Sequence, residues 1–465
     1  MIILIWVGVL LAAVLLYYKR LYSKFDKFGI KHKRPVIFFG NSTKVIFRKE
    51  NIADSILNLY NEFPGEKFVG RFDFSKETVM ICDLGLIKNI TIKDFEHFVD
   101  HSSVFEDVDS PLTRTLLNLK GQEWKDMRSS LSPAFTSSKI RLMVPLMVEV
   151  GEQLIASLKN SIESSKNGYI DIDCQDLTSR YTNDVIASCA FGLKVDSLKD
   201  KDNMFFTMGK ETTTLDYRQI IRFIFILKAP KLAKYFNIDM LSADASKFFR
   251  SLVVDTMKDR ELRHVFRPDM IHLLMELQKG KLKHETKSDD KTTGFATVAE
   301  SSVGTKAVDR VWSDNDLIAQ AIIFFVAGFD TVSRAAMFLL YEVAINPEIQ
   351  EKLVTEILEN AQENGGKFDL NSIQKMQYMD MVVSEVLRKW PPGIALDRVC
   401  VKDYNLGRPN ENASKDFIVR KGTSIVIPVY AFQRDHQYFP DPEKFDPERF
   451  SDDNKHSINP LTYMP

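Results

Sequence analysis

The sequence is poor in the features that usually announce a function. Cysteine is scarce: Cys82, Cys174, Cys189 and Cys400 are scattered over 465 residues. With no CxxC pair and no metal-ligand spacing, a disulfide framework is not expected, and the body reads as belonging to a reducing compartment. Net charge is also scarce. A formal charge of −1 gives no bulk attraction to nucleic acid. No glycine-rich dinucleotide fingerprint or flavin motif stands out. No Gly/Ser linker divides the chain and no internal repeat appears.

What the chain has is apolar residue, 45% of the total, enough for a substantial core. Residues 1–18 contain no charge. At ~1.5 Å rise per residue they span about 27 Å, close to a bilayer core. Lys19, Arg20, Lys24, Lys27, Lys31, Lys33 and Arg34 follow, and this positive flank predicts that the downstream side stays cytoplasmic. A cleaved signal peptide is the alternative, but no charged region precedes the run and no small-residue cleavage site follows it. The reading is a membrane anchor over 1–18, a basic linker over 19–34, and one folded domain over 35–465.

That domain reads as mainly α with a small β-sheet (α+β). NPEIQEKLVTEILEN predicts a helix capped by Asn346 with Pro347 in its first position. IQKMQYMDMVVSEVLRKW predicts another, halted by Pro391-Pro392. Strand signals cluster late, in DFIVRKGTSIVIPVY, as two short strands around Lys421-Gly422. The polar stretch Gly280–Arg310 reads as an exposed loop.

The run AIIFFVAGFDTVSRAAMFLL, Ala321–Leu340, is apolar enough to suggest a membrane span. Asp330 and Arg334 oppose that, each costing about 2.5–3.5 kcal/mol at a bilayer centre, so a helix through a soluble core is expected. Ala327 and Thr331 are four apart and share a face. Ala327-Gly328 leaves little side chain there, so a flat object can approach the backbone, and Thr331 can bond back to the Ala327 carbonyl. Two readings of Asp330 and Thr331 stay open from residue type alone: a buried polar pair at a structural kink, or equipment for delivering protons.

The A-G-F-D-T string in a long apolar helix resembles the oxygen-activating helix of the cytochrome P-450 family, the haem-thiolate monooxygenases. Other stretches agree in order. Glu385-Val-Leu-Arg388 looks like the family's E-x-x-R, and Phe445-Asp-Pro-Glu-Arg449-Phe450 like its P-E-R-F segment. Trp124-Lys-Asp-Met-Arg128 resembles W-x-x-x-R, and Asp397-Arg-Val-Cys400 the stretch that offers an arginine to a haem propionate. The anchor, the basic linker and Pro35…Gly40-Asn41 match the microsomal branch, and Tyr181–Ser197 and Arg267–Leu277 look most like its insect members.

The resemblance implies a haem b cofactor, O2 as oxidant, and electrons from NADPH through a separate diflavin reductase. It places Thr331 and Asp330 in a proton relay, Ala327 and Gly328 against the porphyrin, and Trp124, Arg128 and Arg398 on the propionates. Glu385, Arg388 and Arg449 would form a structural ionic triad. Substrate would meet the segment around Val104 to Leu119, Ile323, Val326, Gly393 and Ile394. Lipophilic small molecules, xenobiotic or endogenous, are the implied substrates, and the endoplasmic reticulum membrane the implied location, with the catalytic domain cytoplasmic.

Two surface features carry paired readings. Tyr217–Leu241 is either an ordinary amphipathic segment or one that dips into the membrane surface. Lys120, Lys125, Lys139 and Arg141 form either a reductase-docking face or scattered solvated charge. One departure from the family pattern stands out. Its F-x-x-G-x-R-x-C-x-G loop should follow P-E-R-F, and none of the four cysteines has that context. The expectation is a C-terminally incomplete chain without the thiolate ligand and the following helix, inactive as it stands. The alternative function is non-catalytic binding of lipophilic compounds.

Overall fold

The computed structural model describes residues 1–103, 110–214, 216–280 and 310–464. Residues 281–309 of the polar stretch, and Val104–Asp109 of the segment expected to meet substrate, lie outside the described residues. The chain is mainly helical with small sheets. It divides into two compact units, Met1–Ser102 with Gly393–Lys444 and Lys455–Pro465, and Ser103–Pro392 with Phe445–Asn454.

The first unit begins with the helix Ile2–Tyr22. It buries none of its residues and carries Lys19 and Arg20 in its last turn. Its length and apolarity suffice to cross a membrane. A four-stranded sheet follows, in the order β1 (Phe68–Asp73), β2 (Lys76–Ile81), β6 (Ser424–Ile427), β3 (Leu396–Val399), with β4 (Tyr404–Asn405) and β5 (Ile418–Val419) forming a separate pair. β1 and β2 make an antiparallel hairpin, β2 runs parallel to β6, and β6 is antiparallel to β3 with Arg398 opposite Ile425. The core is rich in phenylalanine: Phe25, Phe68, Phe72, Phe98 and Phe432 are fully buried. Gly70 is required here, because a Cβ at that position would enter the Phe25 ring.

The sequence did not disclose the β1–β2 hairpin. Phe68 to Phe72 are all buried, so the strand shows no apolar–polar alternation to read. Its turn uses Phe74 at φ 58°, without glycine. The two strands expected around Lys421-Gly422 exist, but β5 and β6 belong to different sheets and do not pair with each other.

The second unit is helical. Its longest helix, Asp314–Ile345, starts from a reciprocal cap between Ser313 and Asp316. Asp316 also accepts from Arg114, and these bonds outweigh burial to hold its carboxyl below the usual range. The first half of the helix is buried through Leu317, Ile318, Ile322 and Phe325, against the helices Cys174–Cys189 and Ala243–Arg263. Phe325 and Phe329 stack with centroids 5.4 Å apart.

Two expected helices differ in detail. Pro347–Glu363 has Pro347 in its first turn, but the Asn346 side chain does not cap it. Asn346 Nδ2 donates instead to the Glu342 carbonyl, 2.8 Å away, closing the end of the preceding helix. The span Ile373–Trp390 is broken into Leu370–Gln374 and Gln377–Lys389. A remote carboxylate sets the break: Glu356 accepts from the backbone N–H groups of Tyr378 and Met379 at 2.7 and 2.8 Å. It thereby satisfies donors that a new helix start leaves open.

Candidate active site

In the second unit the long helix changes character at one turn. Phe325 and Phe329 are buried, whereas Ala327 and Thr331 are exposed. Thr331 Oγ1 donates to the Ala327 carbonyl, the back-bond expected of a hydroxyl four residues on. With that proton committed, the oxygen's remaining lone pairs can accept from a group on the open side. Gly328 does not share this face. A Cβ there would approach Ile186 Cδ1 at 3.0 Å, so its missing side chain serves close packing on the helix Cys174–Cys189.

Asp330 is not the buried carboxyl expected beside Thr331. Its side chain is 36% exposed and accepts from Arg334 Nε at 2.9 Å. A carboxylate in an i, i+4 pair at the water boundary is positioned to exchange protons with solvent. Ile323 and Val326 are half-buried on the same helix.

The helix Gly121–Leu131 carries Trp124 and Arg128, both half-buried. The Trp124 ring packs on the unit's core. The Arg128 guanidinium makes no ion pair with any described residue.

Glu385, Arg388 and Arg449 are brought together. Arg388 donates Nε to Glu385 Oε2 at 2.7 Å and Nη2 to Oε1 at 2.9 Å, with both side chains fully buried. Arg449 Nε lies 3.5 Å from Glu385 Oε1, which also accepts from the Asp446 N–H at 2.9 Å. A second buried ionic group escaped the sequence reading. Glu342, fully buried, accepts from Lys389 Nζ at 2.9 Å and from Trp390 Nε1 at 2.7 Å. The Trp390 ring stacks on Phe338, centroids 4.3 Å apart.

In the first unit, Arg398 stands on β3. Its Nη1 donates to the Asp397 carbonyl at 2.7 Å and lies 3.4 Å from both ring nitrogens of His101. Its Nε is buried with no partner. Burial pushes the guanidinium pKa down, against the favourable charge of Asp397. The Asp397 carboxylate itself is occupied: Oδ1 is 2.9 Å from His101 Nδ1, and Oδ2 accepts from the Ser102 N–H at 2.6 Å. The segment before Ser102 is fixed along β3, with Val399 N–H donating to the Asp100 carbonyl and Val401 N–H to that of His97, both at 2.8 Å. His101 was invisible to motif reading because it is remote in sequence from Asp397. Ile394 packs beside Val69 and Met80, and its carbonyl accepts from the Tyr430 N–H at 3.0 Å. Gly393 is exposed.

The surroundings of Arg398 fit a ligand carboxylate such as a haem propionate. A buried Nε–H donor on a half-buried guanidinium is costly unless an anion meets it, and arginine's planar fork suits a carboxylate. The four cysteines do not fit an axial thiolate. Burial pushes the Cys82 thiol up to about 12 and those of Cys189 and Cys400 to about 11. The Cys400 thiol donates to the Lys402 carbonyl at 2.7 Å. Cys174 is exposed at the start of its helix.

Comparison with known sequences covers nearly the whole chain. The sequence model described as Cytochrome P450 matches residues 31–465. Cytochrome P450 9e2 of Blattella germanica is 43% identical over 455 residues, which is 95% of this chain and 82% of the relative. Probable cytochrome P450 9f2 of Drosophila melanogaster is 39% identical over 446 residues, 94% of this chain and 82% of the relative. Probable cytochrome P450 6a13 of the same organism is 36% identical over 445 residues, 96% and 83% respectively. The family match runs to residue 465, so it lends no support to the expectation of a C-terminally incomplete, inactive chain. Motif order, helical fold and sequence match coincide over the same span, and on that agreement the chain belongs to the cytochrome P450 family.

Proposed function

We propose that the chain is a membrane-tethered haem monooxygenase acting on lipophilic small molecules. Family membership implies the reaction class, a monooxygenase oxidoreductase with a haem cofactor. When bound, haem b would supply O2 activation and the transfer of one oxygen atom to substrate. The chain's own residues do the rest.

Arg398 in the first unit, and Arg128 and Trp124 in the second, would be the residues that hold haem carboxylates, and Ala327 would keep its helix surface low for the cofactor. Thr331 would hold an ordered water through its hydroxyl. Asp330 passes protons inward from solvent, with Arg334 steadying its carboxylate. Ile323 and Val326 on the long helix, and Gly393 and Ile394 before β3, offer apolar contact to substrate. Glu385, Arg388 and Arg449 are structural.

The helix Ile2–Tyr22 anchors residues 1–18 in the endoplasmic reticulum membrane, 19–34 follows as a basic linker, and 35–465 is the catalytic domain on the cytoplasmic side. Exposed Tyr217, Ile221, Leu232, Tyr235 and Phe236 support contact of that segment with the lipid surface. Electrons come from NADPH through a diflavin reductase. One charge of the expected basic docking face is neutralised, since Lys139 pairs with Glu276, while Arg141 donates to the uncharged Asn371.

The observation that carries the reading is the open turn at Ala327 and Thr331 on an otherwise packed helix. Thr331→Ala tests it. The side chain is exposed, so stability should change by less than about 0.5 kcal/mol. Product formed per NADPH consumed should fall and peroxide rise; unchanged coupling would remove Thr331 from the relay. A second reading, non-catalytic binding of lipophilic compounds, is favoured only by the unsuitable thiols. The ferrous-carbonyl spectrum of the same preparation separates the two, because a thiolate-type band supports the enzyme and its absence supports the binder.

A further inference from the structure

The carboxylate nearest Arg398 in sequence does not neutralise it. Asp397 is turned to His101 and the Ser102 backbone instead, at 2.9 and 2.6 Å. Ser102 is fixed in turn through Oγ, 3.1 Å from Ser424 Oγ. Its hydroxyl therefore ties the 97–102 segment to β6, the strand that pairs with β3.

The imidazole meets both neighbours. If Nδ1 carries the proton that meets Asp397 Oδ1, then Nε2 has a free lone pair. Nε2 lies 3.4 Å from Arg398 Nη1. Nη1 is equally 3.4 Å from Nδ1, so the guanidinium rests against the ring whose Nδ1 meets the carboxylate. Arg398 keeps Nε without a partner and has no carboxylate partner among the described residues.

We propose that His101 is a positioning residue that withholds Asp397 from Arg398 and so keeps the guanidinium available to a ligand carboxylate. The inference rests on the reading of Arg398 as a haem-propionate receptor, and deepens it. Without the imidazole, Asp397 is free to swing onto Arg398. A direct aspartate–arginine pair would then compete with the ligand for the same fork of donors.

The test uses the full chain reconstituted with haem. Haem-to-protein ratio and the rate of haem transfer to apomyoglobin are read, with circular dichroism to confirm folding. His101→Ala should speed haem loss on the order of tenfold, the usual scale for removing an outer-shell partner. His101→Asn, which can still donate to Asp397, should recover most of the retention. The decisive arm is Asp397→Asn placed in the His101→Ala background. Removing the competing charge should restore retention towards that of the parent, which a merely structural role for His101 would not allow.

Parental haem retention in folded His101→Ala, or a loss that Asp397→Asn does not relieve, overturns the proposal. Arg398→Ala tests the underlying reading separately. Faster haem loss there supports Arg398 as the receptor. Unchanged loss removes the receptor itself, whatever the His101 variants do.

Discussion

Arg388 and Arg398 lie close in sequence and both are withdrawn from water, yet their surroundings are opposite. Arg388 is fully buried and saturated by a carboxylate that meets it twice, at 2.7 and 2.9 Å. Arg398 is buried enough to lose proton affinity, yet its nearest carboxylate is bonded elsewhere and its Nε is unused. A satisfied buried ion pair needs nothing further and holds structure. An unsatisfied one is an expense the fold keeps only where something else completes it. The same side chain therefore reads as scaffold in one unit and as receptor in the other.

The strongest way to break that comparison is to unmake the scaffold. Glu385→Ala removes the carboxylate that meets the fully buried Arg388 twice and lies 3.5 Å from Arg449 Nε. Leaving a buried charge uncompensated costs about 3–5 kcal/mol, a large share of the stability of an ordinary domain. The expected outcome is a chain that neither accumulates as soluble folded protein nor takes up haem, judged by circular dichroism and haem content. A folded, haem-loaded Glu385→Ala would deny the trio its structural role.

A smaller effect comes from acid. Burial alone would raise the Asp397 pKa, but hydrogen bonds from His101 and the Ser102 N–H outweigh it and hold the carboxyl below its ordinary value of 3.8. A depressed carboxyl contributes stability that is fully present above its unfolded pKa. That contribution is lost as pH falls through the folded one. His101 faces this carboxylate, and its charge adds to the effect. Acid titration of the melting temperature should show a steeper fall below about pH 4 in the parent than in Asp397→Asn. Superimposable acid limbs would mean that the His101–Asp397 contact contributes nothing to folding.

Much of this was legible in the sequence, for reasons that vary by residue. The long helix, the Glu385–Arg388 pair and the bond from Thr331 to Ala327 are local, set by i, i+3 and i, i+4 geometry that spacing reveals. The burial of Asp330 was misjudged because an apolar run says which helix is packed, but not which turn emerges from the packing. Gly328 was misassigned for a related reason. Its neighbours in sequence suggest the face of Ala327, whereas its Cα direction meets Ile186 on another helix. The hairpin β1–β2 was missed because strands buried on both faces show no period of two. His101 and Glu356 act through partners distant in sequence, and no single-chain pattern records such pairings.

The last and smallest effect concerns the pair that replaced the expected buried acid. Asp330 and Arg334 are 2.9 Å apart, with side chains 36% and 52% exposed. An i, i+4 pair at a surface contributes about 0.3–0.5 kcal/mol, so Asp330→Asn and Arg334→Gln should each barely shift the melting temperature. Their effects on turnover should differ. Asp330→Asn keeps the shape and removes the exchangeable proton, so turnover should fall and its solvent deuterium isotope effect should rise. Arg334→Gln leaves the carboxylate free to exchange protons and should slow turnover much less. Equal losses in the two variants would mean that the pair matters as a helix brace, and that protons reach Thr331 by another route. Together with Thr331→Ala, this contrast distinguishes a turn left open for proton traffic from one that is merely exposed.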